Sequence, residues 1–289
     1  LMAHANDLAF KSKTALREGD RSTAFRLAEF AHRYLDARNP NVTQALIDVL
    51  YCNDLPYQPY ILWNTQLEGH LETVWSVNFS PDGRLVATGS GDNTAKIWEF
   101  ESGKAILTLE GHINVVNTVA FSPDGRFVAT GSRDNTAKIW NLENGKAALT
   151  LEGHTESINS VAFSPDERFV ATSSDDNTAK IWDLKNGKAV LTLTGHTESV
   201  NSVAFSPNGQ QLATGSWDKT AKIWDWKSGN IIQTLESYFE VQCVAYSPDG
   251  QRLATAGSGL DVNVWDLERG KRVLTLEGET DEFESIAFS

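Results

Sequence analysis

The chain has 289 residues, 40% of them apolar, and its 25 Lys and Arg against 38 Asp and Glu give a formal net charge of -13. A chain of this length buries about 75% of its unfolded surface, so the composition excludes an intrinsically disordered protein. The negative charge repels phosphate and anionic lipid, which argues against nucleic acid and membranes as partners. The sequence has only two cysteines, too few for a disulfide framework, and no apolar stretch reaches the ~18 residues of a membrane span. We therefore predict a cytoplasmic protein.

Residues 1–60 are predicted to form an α-helical segment followed by a linker. Apolar residues recur at helical spacing over residues 4–17 and again over residues 21–37. Asn39 and Pro40 suit the cap and the first position of a third helix, because Asn accepts a backbone N–H and Pro needs no hydrogen-bond partner there.

Residues 61–289 contain a repeat with a step of 42 residues. The positions that define the step are Gly69-His70, Gly111-His112, Gly153-His154, Gly195-His196, Trp98, Trp140, Trp182 and Trp224. Each repeat predicts four short strands, which in the first repeat span 73–80, 84–90, 94–100 and 104–110, with Pro, Asp, Asn and Gly in the turns between them. Strands such as RFVATGS are apolar on both faces, as expected for sheets buried between neighbours.

A period of 42 with Gly-His near its start and Trp-Asp near its end resembles the WD40 repeat, which forms the four-stranded blade of a β-propeller. The resemblance implies a mainly β chain with a propeller over residues 61–289. About 5.5 repeats fit into this region, whereas a ring of about seven blades needs roughly 294 residues at this period. We therefore predict that the propeller is truncated in its sixth repeat and belongs to a longer chain.

The helical segment carries a second resemblance. REGDRSTAFRLAEFA is similar to the second half of a tetratricopeptide repeat, and EGDRSTAFRLAEFAH followed by NPNVTQALIDVLY resembles the helices that precede the WD40 array in bacterial STAND-type (NACHT-like) NTPases. This resemblance implies the sensor part of a larger signalling or defence protein. Its NTPase motor would lie outside this chain, because no Gly-Lys pair here has the spacing of a phosphate-binding loop.

Four repeats each place a His, a Thr, an Asp and a Trp in register. These tetrads are His70, Thr88, Asp92, Trp98; His112, Thr130, Asp134, Trp140; His154, Thr172, Asp176, Trp182; and His196, Thr214, Asp218, Trp224. The WD40 resemblance implies a buried chain of hydrogen bonds from the indole through the hydroxyl and the imidazole to the carboxylate. In the fifth repeat, Tyr238 takes the His position and Gly259 the Asp position, so we expect this blade to be the least stable.

A hydroxyl, an imidazole and a carboxylate also suit a catalytic triad, and the alternative function is a hydrolase or lyase with its active site in the propeller channel. Four equivalent copies favour the structural interpretation instead. Asp175-Asp176-Asn177 lacks the spacing of a calcium-binding loop. We predict no catalytic residue, no cofactor and no metal site, and therefore a protein that is not an enzyme.

Departures from the repeat indicate where a partner binds. The residue before the tetrad Asp varies as Gly91, Arg133, Asp175, Trp217 and Ser258, and the fifth residue after the His varies as Trp75, Asn117, Asn159, Asn201 and Cys243. The resemblance implies that these positions line the channel rim. The partner-binding candidates are Trp75, Arg133, Asp175 and Trp217, with packing against a neighbouring loop as the open alternative for each Trp. Trp226 is assigned to the core.

These observations predict a protein-interaction scaffold or ligand-sensing module. Its partner is expected to be a protein or peptide, together with other domains of its own parent chain. Acidic residues two positions after the His place, at Glu72, Glu156, Glu198, Glu240 and Asp281, are expected to form a broken acidic ring on the same face. This ring favours a partner with a basic surface, and a merely solvated rim is the open alternative.

Overall fold

The computed structural model describes residues 67–259, 261–277 and 285–288. The helices predicted within residues 1–60 and the start of the sixth repeat at Gly278 lie outside these described residues, and both remain predictions.

The described residues form five four-stranded antiparallel sheets, numbered here as blades 1 to 5 in chain order. Blade 1 contains β1 (Val74–Phe79), β2 (Leu85–Ser90), β3 (Ala95–Glu99) and β4 (Ala105–Leu109). Blade 2 contains β5 (Val116–Phe121), β6 (Phe127–Ser132), β7 (Thr136–Asn141) and β8 (Lys146–Glu152). Blade 3 contains β9 (Ile158–Phe163), β10 (Phe169–Ser174), β11 (Thr178–Asp183) and β12 (Lys188–Thr194). Blade 4 contains β13 (Val200–Phe205), β14 (Leu212–Ser216), β15 (Thr220–Asp225) and β16 (Asn230–Glu236). Blade 5 contains β17 (Val241–Tyr246), β18 (Arg252–Gly257), β19 (Asp261–Asp266) and β20 (Lys271–Glu277). The predicted mainly β architecture with four strands per repeat is confirmed.

The turn that joins the first two strands of each blade explains why the strands end where they do. In blade 1, the Ser80 hydroxyl donates to Asp82 Oδ1 at 2.6 Å and accepts the Leu85 N–H at 2.8 Å. Gly83 has a φ of 71°, a conformation that favours glycine. Ser80 therefore belongs to the turn, and β1 ends one residue earlier than the sequence predicted.

The first strands of successive blades lie side by side. The Val119 N–H donates to Ser76 Oγ at 3.1 Å, and the Phe121 N–H donates to Asn78 Oδ1 at 2.9 Å, so β5 is bonded to β1 across the blade junction. Because neighbouring strands are antiparallel, the loops that enter the first strands and the turns between second and third strands share one end of the blades. We call this end the upper face and the opposite end the lower face.

The core lies between blades. At the first junction, Ile97 and Leu109 of blade 1 pack with Val119, Val128 and Trp140 of blade 2. Trp226 is 6% exposed and packs in the equivalent cluster between blades 3 and 4, as its assignment to the core predicted.

Blade 1 differs from the others on its first strand. Val77 and Phe79 of β1 are 61% and 51% exposed, whereas the corresponding Val119 and Phe121 of β5 are 5% and 8% exposed. The difference arises because blade 1 packs against blade 2 alone among the described residues.

The fifth repeat corrects one sequence-based assignment. In the strand pairing of blade 5, Cys243 faces Ala256, the place that Ser202 takes opposite Gly215 in blade 4. The loop before β17 is therefore one residue shorter than in the other repeats, and Gln242 takes the place of Asn201. The assignment of Cys243 to the channel rim was wrong. The fifth repeat has no Gly-His pair, so the sequence does not show at which position its loop is one residue shorter. Cys243 is buried, and burial raises the pKa of its thiol to about 12.

Candidate functional site

The four tetrads form continuous hydrogen-bonded chains. In blade 2, Trp140 Nε1 donates to Thr130 Oγ1 at 2.8 Å, Thr130 Oγ1 lies 2.7 Å from His112 Nε2, and His112 Nδ1 lies 2.8 Å from Asp134 Oδ2. Because the indole can only donate, the hydroxyl accepts from it and donates to the imidazole, whose Nδ1–H donates to the carboxylate. Blades 1, 3 and 4 repeat these contacts at 2.7–2.8 Å.

The carboxylate at the end of each chain ties two loops together. Asp134 Oδ1 accepts the N–H and the hydroxyl of Thr136 at 3.0 and 2.7 Å, while Oδ2 accepts the Ile113 N–H at 3.1 Å. Burial opposes ionisation of Asp134, but the hydrogen bonds from Thr136 and His112 outweigh it and lower its pKa. Burial lowers the pKa of His112 against the opposing effect of Asp134. The network therefore consists of an ionised carboxylate and a neutral imidazole at pH 7.

The burial of the tetrad favours the structural interpretation. The His112 and Asp134 side chains are 1% and 4% exposed, and Thr130 is fully buried. Both imidazole nitrogens are engaged within the tetrad. No substrate atom can approach the Thr130 hydroxyl without opening the blade, so the tetrad offers no accessible nucleophile.

Blade 5 keeps only part of the network. Trp265 Nε1 donates to Thr255 Oγ1 at 2.9 Å. A Cβ atom built on Gly259 would lie 2.3 Å from Phe239 Cδ2, so the Phe239 ring occupies the side of the turn where the other blades carry Asp. Tyr238 is 76% exposed, and its ring lies 5.6 Å from the guanidinium of Arg272. Its hydroxyl does not replace the imidazole.

Two of the partner-binding candidates are in contact on the upper face. The Arg133 guanidinium lies 5.3 Å from the Trp75 ring, and its Nε donates to Asn117 Oδ1 at 3.1 Å. Trp75 belongs to blade 1 and Arg133 to blade 2, so the pair spans their junction. Trp75 is nevertheless 53% exposed.

The other two candidates lie at later junctions of the same face. Asp175 Oδ1 of blade 3 accepts from Asn159 Nδ2 at 2.7 Å and from Ser199 Oγ of blade 4 at 2.5 Å. Trp217 Nε1 of blade 4 donates to Gln242 Oε1 of blade 5 at 3.2 Å, and Trp217 stays 42% exposed. Each candidate thus contacts a neighbouring blade, and the two Trp rings also present half of their surface to solvent.

Sequence reasoning missed two features. Gln242 takes part in the upper face, but the shortened fifth repeat concealed its position. A groove on the lower face is lined by Phe169 and Trp226, and the only signal for it was that Trp226 replaces the Leu or Phe of the other repeats. Among the residues that the structure describes, no three His, Cys, Asp or Glu side chains are placed to hold a metal ion.

Comparison with known families agrees with the geometry of the blades. The model of the WD domain, G-beta repeat, matches residues 63–99, 103–141, 145–183, 187–225 and 229–266, which is more than half of the chain. The chain belongs to the WD40 repeat family. The WD40 resemblance of residues 67–289 is thereby confirmed for the five complete repeats.

Individual WD40 relatives match only single stretches. The chain is 48% identical over 42 residues to eukaryotic translation initiation factor 3 subunit I of Scheffersomyces stipitis, which is 14% of this chain and 12% of that protein. It is 37% identical over 62 residues to protein Notchless of Drosophila melanogaster, which is 21% of this chain and 13% of that protein. The matches therefore span about an eighth of the length of these relatives.

The part of the chain that the structure describes contains no helix long and apolar enough to cross a membrane.

Proposed function

We propose that this WD40 chain is a non-enzymatic protein-interaction module that binds a protein or peptide through its upper face. The observation that carries the proposal is that two half-exposed rings, Trp75 of blade 1 and Trp217 of blade 4, lie on the same face, with Arg133 against the first. Large aromatic and Arg side chains contribute most of the binding energy in protein interfaces. Their contacts to neighbouring blades hold the rings in place before a partner arrives, which lowers the entropy cost of binding.

Charge indicates the kind of partner. Glu72, Glu156 and Glu198 are exposed on the upper face, and their backbone carbonyls accept Ser hydroxyls at 3.1–3.2 Å. Glu240 does not join them, because the shortened loop moves it to the place of Ser199. Three exposed carboxylates on a chain of net charge -13 favour a basic partner surface.

The proposed biological role is that of a cytoplasmic scaffold or the ligand-sensing part of a larger bacterial signalling or defence NTPase. The resemblance of residues 1–60 to the segment that precedes such WD40 arrays supports the sensor role. One relative is named as a subunit of a translation initiation factor, which supports a role inside an assembly. For the sensor role, other domains of the parent chain are the further partners that we propose.

A capture experiment tests the upper face. The full chain is used as bait in its wild-type form and as the Trp217→Ala, Arg133→Ala double variant. The matched control is Arg84→Ala, Phe100→Ala, which removes an exposed Arg and a 44% exposed aromatic ring from the lower face. All three chains must first melt at the same temperature.

We expect the partner to be retained by the wild type and the control and lost by the upper-face variant. If the upper-face variant retains the partner, recognition does not take place on this face and the proposal fails.

A further inference from the structure

The lower face carries a groove between blades 3 and 4. It has a volume of about 430 Å³, and its floor is formed by Phe169, Leu191 and Trp226. Arg168 and Lys227 stand at its rim, one on each blade. The groove lies at the opposite end of the blades from Trp75 and Trp217, so it is independent of the proposed upper-face site.

One substitution within the repeat shapes this groove. Trp226 takes the place of Leu184 in blade 3, and its ring lies 4.9 Å from the Phe169 ring and 5.9 Å from the Phe205 ring. Its Nε1 donates to the Gly209 carbonyl at 3.1 Å, which fixes the orientation of the indole. These contacts hold the aromatic rings of the floor in place before a ligand binds. Binding therefore does not cost the entropy of ordering them.

The positive charges at the rim are held over the aromatic rings. The Arg168 guanidinium lies 5.3 Å from the Phe169 ring, and the Lys227 ammonium lies 5.8 Å from the Trp226 ring. Within the described ranges, neither cation forms an ion pair, whereas the corresponding Arg126 of blade 2 is paired with Asp124. Two cations thus face the groove without a carboxylate in contact.

Two carboxylates also line the groove, but their own turns engage them. Asp166 Oδ1 accepts the Ser164 hydroxyl at 2.6 Å and the Arg168 N–H at 3.2 Å. Asp183 Oδ1 accepts the Lys185 N–H at 2.8 Å. These bonds come from neutral donors and stabilise the turns without cancelling the carboxylate charges. Within the described ranges, the side chains of Arg168 and Lys227 make no hydrogen bond or ion pair, so their donors are the ones left for a ligand.

We propose that this groove binds a peptide segment in which an apolar side chain stands next to an acidic one. The apolar side chain packs on Trp226 and Leu191, and the carboxylate accepts hydrogen bonds from Arg168 and Lys227. A guanidinium binds a carboxylate through two parallel hydrogen bonds, which makes this pairing both stronger and more specific than a bond to a neutral acceptor. The volume suits a few residues of a peptide rather than a folded surface.

Defined peptides test the charge requirement. The probes are acetyl-Gly-Leu-Glu-Glu-Gly-amide and the same peptide with Gln-Gln or Lys-Lys in place of Glu-Glu. Indole N–H signals of the ¹⁵N-labelled full chain report binding, and the Trp226 signal is the one missing from Trp226→Leu. We expect the Glu peptide to shift this signal saturably and to bind at least tenfold more tightly than the other two. An unmoved Trp226 signal, or equal binding of the three peptides, overturns the proposal.

The repeat supplies the matched control. Arg168→Gln, Lys227→Gln removes the two rim cations, and Arg126→Gln, Lys185→Gln removes the corresponding pair one blade earlier. We expect the first variant to weaken binding of the Glu peptide at least fivefold and the second to leave it unchanged. Equal weakening in both variants would show a general charge effect and overturn the site. The peptide-binding measurements do not depend on whether the upper face captures a partner. Either proposal can therefore fail while the other stands.

Discussion

At the scale of single residues, the tetrad converts a set of polar groups into a stable part of the core. Every polar atom in the chain from Trp140 to Asp134 has a partner, so burial of these groups does not leave an unsatisfied donor or acceptor. Such a network is stabilising only as a whole, because removal of one member leaves its neighbour buried without a partner.

Asp134→Ala tests this dependence. The substitution removes the acceptor for His112 Nδ1 and for three groups of the adjoining loops. We expect the free energy of unfolding to fall by about 1–3 kcal/mol. Urea denaturation measures the change, and Glu110→Ala, which removes an exposed carboxylate, serves as the control with little effect. A similar loss in both variants would contradict the role of the network.

The same residues predict how stability depends on pH. Burial lowers the pKa of His112 and His196 in the folded chain, while in the unfolded chain it is about 6.5. Below that pH the unfolded chain binds protons that the folded chain does not, so stability is lost as pH falls toward the folded pKa values. The pKa values of Asp134 and Asp218 are lowered in the folded chain. Below about pH 4 the unfolded carboxyls therefore bind protons first, and the free energy of unfolding falls further.

Thermal melts between pH 7.5 and 5 measure this loss. Because acidification also relieves repulsion in a chain of net charge -13, the informative quantity is the difference between the wild type and His112→Gln, His196→Gln. We expect the melting temperature of the wild type to fall more steeply than that of the variant. Parallel curves would show that the imidazoles do not titrate with unfolding.

At the scale of strands and blades, the sequence predicts what repeats and misses what breaks the repeat. Four strands per blade follow from apolar runs separated by turns such as Ser80 to Gly83, and they form within one residue of the predicted bounds in blade 1. The register of blade 5 could not be predicted, because the loop before β17 is one residue shorter and lacks the Gly-His pair that marks the position in the other repeats. The lower-face groove arises from contacts between blades, which no single repeat encodes.

Packing between blades explains a glycine that the repeat does not always keep. A Cβ on Gly131 would lie 2.6 Å from Ile158 Cγ2 and 2.7 Å from Thr118 Cγ2. Ser173 takes the same place in blade 3, where the corresponding neighbours are the smaller Ser160 and Val200. The Thr118 and Ile158 methyl groups therefore add to the crowding at Gly131, but they are not its only source, because Gly215 has the same kinds of neighbour, Ser202 and Val241, and a Cβ there would still lie 2.7 Å from Val241 Cγ1.

Gly131→Ser should destabilise the chain by about 1–3 kcal/mol through overpacking. The triple variant Gly131→Ser, Thr118→Ser, Ile158→Val reproduces the surroundings of Ser173 and should lose less stability than the single variant. Equilibrium unfolding of the two chains gives the comparison. If the triple variant is the less stable, the methyl contacts are not what requires glycine.

The incomplete network predicts that blade 5 opens most easily. Thr255 holds only Trp265, whereas Thr172 links Trp182 to His154. We expect amide hydrogens of β17 to exchange faster than those of β9. Thr172→Val breaks the network of blade 3 and should raise the exchange of β9 toward that of β17. Equal protection of the two strands in the wild type would contradict this prediction.

At the scale of the whole molecule, the propeller presents two faces with different chemistry. The upper face combines half-exposed Trp rings with carboxylates, and the lower-face groove combines an aromatic floor with two cations and two carboxylates that their own turns engage. Nearly identical blades therefore differ at single positions on these faces, through substitutions such as Trp226 in the place of Leu184, which leave the fold of the repeat unchanged.

The net charge predicts that the chain does not bind DNA non-specifically. Non-specific affinity for DNA comes from Lys and Arg side chains that replace counterions along the phosphates. In this chain, 25 basic residues are outnumbered by 38 acidic ones, and the upper face exposes carboxylates. We expect no change in the fluorescence anisotropy of a labelled DNA duplex at 50 mM salt and protein concentrations up to about 10 μM, where non-specific DNA-binding proteins bind. Binding that weakens steeply with added salt would reveal a basic surface that overrides the net charge, and it would contradict a protein or peptide as the natural partner class.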